Sequence, residues 1–163
     1  MRFVSYVTLL LLMLMTIALG FGGVQEQGDF ELNAGQTGGG FDMRDVWRVH
    51  IVGFEMRTER NGKSPRVRRL SSSQLNALRQ SLDGNHLYDL RGSYGCSQCS
   101  DNPVCTIEVV SKERKKQVRV YGTLKGDGFQ AGSPEGIEVQ RFMSVLATIK
   151  RIAGLQGIKD ICR

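Results

Sequence analysis

Apolar and polar positions alternate along Val46-Trp-Arg-Val-His-Ile-Val-Gly-Phe-Glu-Met56. Trp47, Val49 and Ile51 fall on one face, and Val46, Arg48, His50, Val52 and Phe54 on the other. A period of two among β-branched and aromatic residues predicts a strand. Asn61-Gly62 is a hairpin dipeptide, although Lys63-Ser-Pro65 favours a longer loop, and Arg66-Val-Arg-Arg-Leu70 reads as the return strand. The period then changes. Leu75, Leu78 and Leu82 recur at helical spacing, and Ser71-x-x-Gln74 is a capping box that starts the helix. Gly84-Asn85 stops it, and Leu87, Tyr88 and Leu90 rejoin the core.

The second half repeats this order. Val104–Val110 alternates, with Cys105, Ile107 and Val109 facing one way and Thr106 and Glu108 the other. A charged turn over Lys112–Lys116 leads into a return strand, Gln117-Val-Arg-Val-Tyr121. Residues 122–134 are glycine-rich and read as a loop. Ser133 caps a last helix with Pro134 at its first position. Ile137, Phe142, Val145, Leu146, Ile149 and Ile152 form its expected buried face, and Gly154 ends it. The fold class is therefore α+β: a mostly antiparallel sheet in ββαββα order with two helices on one face. One extra short strand is a candidate at Asp29-Phe-Glu-Leu32.

The ends of the chain add a compartment. Arg2, an apolar run over Val7–Leu19 and the small residues Ala18 and Gly20 have the layout of a secretory signal peptide, residues 1–20. The run is shorter than the roughly 20 residues that span a bilayer, so cleavage is favoured over retention as an anchor. Residues 21–45 form a flexible glycine-rich leader, and 46–163 a single domain. The expected location is secreted or periplasmic, with no stable membrane insertion after cleavage.

Export changes the reading of the four cysteines. Cys96, Cys99 and Cys105 lie within ten positions of one another, and Cys162 is next to last. A redox CxxC opens a helix, whose N-terminus lowers the thiol pKa. Here Ser-Asp-Asn-Pro follows Cys99, which is turn chemistry leading into a strand. A zinc site would need a second close ligand pair, which is missing. Oxidising compartments instead favour bridges, and four cysteines allow two bridges in three connectivities. Cys162 has no local partner, so its bridge is expected to cross the fold to the 96–105 loop. No metal or cofactor is expected.

Charge narrows the function. The chain has 22 lysines and arginines against 16 acidic residues, a net charge of +6. Glu26, Asp29, Glu31, Asp42 and Asp45 crowd the leader, so the body is more basic still. Arg57, Arg60, Lys63, Arg66, Arg68 and Arg69 cluster on the first hairpin, and Lys112, Arg114, Lys115, Lys116 and Arg119 on the second. On one sheet their tips could converge into a basic edge, for which Arg66, Arg68, Lys115 and Lys116 are the candidate binding residues. The competing reading is protection of sheet edges by cations. Export and few neighbouring aromatics weigh against nucleic acid. His50 and His86 sit in no HExxH, GxSxG or phosphate-loop pattern, and no carboxylate pair has acid–base spacing, so catalysis is not favoured.

Gly38-Gly-Gly-Phe41 before a strand and basic hairpin, then a leucine-striped helix, Leu87-Tyr-Asp-Leu90, a strand pair and a closing helix carry a resemblance. Over residues 29–154 the chain resembles a broad group of small, mostly uncharacterised bacterial secreted domains. More loosely, it resembles the emfourin class of metalloprotease inhibitors. The resemblance implies a non-enzymatic domain whose partner is an extracellular protein, a protease being the concrete case. The alternative is a thiol–disulfide redox protein using Cys96 and Cys99.

Overall fold

A computed structural model describes residues 30–38, 46–96, 102–112, 114–122, 129–130, 132–159 and 162. The expected signal peptide, most of the Gly38–Phe41 motif and Cys99 lie outside these residues. The elements are β1 (Phe30–Thr37), β2 (Trp47–Val52), β3 (Glu55–Arg60), β4 (Lys63–Arg69), α1 (Ser72–Gly84), a 3-10 turn (Leu87–Asp89), β5 (Ser93–Tyr94), β6 (Val104–Ser111), β7 (Arg114–Tyr121) and α2 (Pro134–Ala153). All seven strands join one sheet in the order β4-β3-β2-β1-β6-β7-β5. Every pairing is antiparallel except the short parallel contact of β5 with β7.

The α+β class, the antiparallel sheet and the two helices agree with the alternation read from the sequence, but the strand count is higher. The run 46–56 is two strands, because Gly53 takes φ 55° and folds the chain back at Gly53-Phe54. A left-handed residue is tolerated there because glycine has no Cβ. The candidate strand in the leader is eight residues long and lies at the centre of the sheet, between β2 and β6. Its inward positions are Phe30, Leu32, Ala34 and Gln36, all buried. The small Ala34 and polar Gln36 hide that alternation in the sequence.

One face of the sheet builds the core. Register places Leu32 beside Ile51 and Val109, Ala34 beside Val49 and Ile107, and Gln36 beside Trp47 and Cys105. Both helices pack on this face. α1 contributes Leu75, Leu78 and Leu82, and its capping box is formed, with Ser71 Oγ accepting from the Gln74 N–H. α2 contributes Val139, Phe142, Val145, Leu146, Ile149 and Ile152. Ile137, expected inside, is 42% exposed. Val139 takes its place, because the inward steps 139, 142, 146, 149 follow the helical period and 137 does not. Ser81 Oγ donates to Thr148 Oγ1 at 3.1 Å between the helices.

The C-terminal tail is tied to the same face. Cys105 and Cys162 form a disulfide across a separation of 57 residues, the cross-fold bridge expected for Cys162. Buried Lys150 donates from Nζ to the Ile158 carbonyl at 2.6 Å, and Gln36 donates from Nε2 to the Lys159 carbonyl at 2.9 Å. Cys96 is also disulfide-bonded, and there is no free cysteine among the described residues. No described helix is long and apolar enough to cross a membrane.

Candidate functional site: a basic edge strand

The two basic hairpins do not converge. Arg60 at the end of β3 pairs with Trp47, which pairs with Gln36 near the end of β1. Ser111 at the end of β6 pairs instead with Phe30, at the start of β1. The tips therefore point to opposite ends of the sheet, with β2 and β1 between the hairpins. Three antiparallel steps separate β3 from β6, and an even number would have been needed to bring the tips together. Arg66 and Arg68 lie on the edge strand β4; Lys115 and Lys116 lie on β7, on opposite faces of the sheet.

The second hairpin engages Arg114, Lys115 and Lys116 internally. Lys115 Nζ meets Glu108 Oε1 at 3.1 Å. Lys116 is half-buried, and its ammonium donates to the Leu90 carbonyl. The Arg114 guanidinium lies 4.6 Å from the Tyr88 ring centroid, a cation–π contact. The contacts of Lys116 and Arg114 hold the 3-10 turn and its flank against the sheet.

The first hairpin differs. Arg57 meets Glu59 at 2.9 Å, and Arg69 lies over the Phe54 ring at 5.7 Å. Lys63, Arg66 and Arg68 meet no acidic side chain among the described residues. All seven residues of β4 are exposed, on both faces. Arg66 and Arg68 pair with the inward-facing Thr58 and Met56, so they project from the helix-bearing side of the sheet and are nevertheless exposed. Val67 projects from the other side and is 59% exposed. The site is thus a strip of edge backbone flanked by arginines, with one apolar side chain among them.

A shallower feature lies on the open face, where glycine replaces a side chain in the middle of β1. Gly35 floors a recess of about 260 Å³, bordered by Asn33, Arg48, His50, Glu59 and Thr106. A Cβ at Gly35 would come within 3.0 Å of the Trp47 carbonyl oxygen. His50 Nδ1 lies 2.6 Å from Asn33 Oδ1, and Asn33 Nδ2 donates to Glu31 Oε1. His50 is therefore oriented by an amide. His86 lies elsewhere, after α1, with Nδ1 3.4 Å from Asp89. No group of three His, Cys, Asp or Glu residues is placed to hold a metal among the described residues.

At the start of α2, Arg91 reaches Glu138 at 3.1 Å and Glu135 at 3.5 Å. Hydrogen bonds from Arg91 and Tyr94 hold the Glu138 carboxyl below the ordinary carboxylate range. Burial pushes the Tyr94 hydroxyl up, and that hydroxyl also accepts from the Arg91 backbone N–H at 2.8 Å. This cluster pins β5 to α2, and its charges are mutually satisfied. Sequence reasoning found the cations of both hairpins. It did not find which were already engaged, because Glu108, Leu90 and Tyr88 become their neighbours only in the folded sheet.

The sequence matches no family model and no curated protein. The site is accordingly read from its own residues.

Proposed function

We propose that the chain is an exported, non-enzymatic protein-binding domain, in its most concrete form an inhibitor of an extracellular protease. The observation that supports this reading is β4: an edge strand exposed along its length, whose Lys63, Arg66 and Arg68 meet no acidic side chain among the described residues. Exposed cations on a rigid sheet suit an acidic protein surface and act mainly on the rate of encounter. The test is affinity capture with the domain lacking residues 1–20 from its native extracellular medium, followed by kinetics with the captured protein. Reversing Arg66 and Arg68 to glutamate should slow association roughly tenfold at low ionic strength, with the gap closing as salt is added. Equal rates at low salt would remove β4 from the reading. A captured protease that keeps full activity when saturated with the domain would remove inhibition.

A second reading rests on Cys96, which is exposed and bridged. Exposed disulfides are the more reducible ones, which suits a thiol–disulfide role for Cys96 and Cys99. Titration against a graded glutathione buffer decides it. A bridge at Cys96 that resists reduction under conditions that reduce glutathione disulfide rules the role out.

A further inference from the structure

We propose that the partner binds β4 by strand addition: an extended acidic segment hydrogen-bonds to the outer backbone edge at Val67 and Arg69. This rests on the protein-binding reading and specifies how that site works.

The argument begins with the ladder. The Leu70 N–H donates inward to the Phe54 carbonyl at 2.7 Å. Backbone groups in an antiparallel pair alternate between facing the partner and facing away. Arg68 and Arg66, paired with Met56 and Thr58, therefore face β3, while Val67 and Arg69 direct N–H and C=O outward. No described strand lies beyond β4.

Edge protection is present but partial. A register shift lies between Thr58 and Arg60, and Pro65, which has no N–H, sits in the irregular stretch. A bulge and a proline are standard means of blocking an edge, and here they close the half nearest the turn. From Arg66 to Arg69 the register is regular. That half carries Val67, the most exposed of the large apolar side chains described. Protection alone would favour a charge at that position.

Charge selects the occupant. An added strand would have Arg66 and Arg68 on one side of the sheet and Arg69 on the other. A second copy of β4 would place like charges opposite one another, which is unfavourable across a strand pair. An acidic extended segment has the complementary sign, and strand addition gives it affinity through the main chain and specificity through alternate side chains.

The experiment uses the whole domain and a synthetic eight-residue peptide of alternating glutamate and valine, with binding followed by fluorescence anisotropy. Val67→Pro removes an outward N–H and no ladder hydrogen bond, so the fold should survive. It should weaken binding at least tenfold. A control peptide of the same sequence, with N-methyl groups on alternate residues, should show the same loss without any change to the protein. If both bind like their parents, or the parent peptide does not bind, strand addition is wrong. Slowed capture by the arginine-to-glutamate variant would still support protein binding by charge. Sedimentation showing a dimer that Val67→Pro abolishes would assign the edge to a second copy and overturn the acidic occupant.

Discussion

Glu138 is a carboxylate whose ionised form the fold prefers. Its folded pKa is depressed by Arg91 first and Tyr94 second. In the acid range the unfolded chain therefore binds more protons at this position than the folded one. Its contribution to stability is complete above the ordinary carboxylate pKa and is lost as pH falls through the folded value. Arg91→Leu should lower the melting temperature at neutral pH, and the difference from wild type should shrink as the solution is acidified. Arg91 also lies 4.9 Å from the Tyr94 ring centroid, and loss of that contact is independent of carboxylate titration. A pH-independent difference would assign the whole effect to the ring contact. Both groups are solvent-accessible, which keeps the effect small.

At the level of elements, the helices were the most legible part of the sequence. Their caps and stripes are local: Ser71 with Gln74, Ser133 with Pro134, and leucines at fixed spacing. Leu78 and Ile149 are buried, one on each helix. Alanine at either should cost about 2–5 kcal/mol by chemical denaturation, through lost burial and a residual cavity. A loss below about half a kcal/mol would mean that the side chain is not packed against the sheet, since even full collapse of the cavity leaves the lost burial. Strands were less legible. β2 and β3 merged in the reading because Gly53 looks like one more member of an apolar run until its left-handed turn is seen. β5 is two residues long, too short to show a period. The basic residues were found, but that their hairpins point to opposite ends was not legible, since it depends on strand order and direction rather than composition. β4 became a candidate site only when its position at the edge and its exposure were known.

At the scale of the whole molecule, the last residues are part of the fold. Cys162 crosses to Cys105 while Lys150 and Gln36 hold the carbonyls of Ile158 and Lys159. Closing a loop of this length restricts the unfolded chain and stabilises the fold by about 4 kcal/mol in the chain-entropy account. Cys162→Ser should therefore lower the melting temperature by several degrees, and reducing agent should then have less further effect than on wild type. An unchanged melt would show that the two carbonyl contacts hold the tail without the bridge. At the opposite end of the chain, β1 is hydrogen-bonded along both sides, to β2 and to β6. Remove it, and the remaining strands fall into two three-stranded pieces, β4-β3-β2 and β6-β7-β5, each with a raw inner border. This sets a limit on N-terminal trimming. A peptidase acting before Phe30 trims a leader, whereas one acting a few residues later extracts the central stave of the sheet. The glycine-rich composition around residues 21–45 looks expendable, but it contains the strand that, among those described, joins two half-sheets into one.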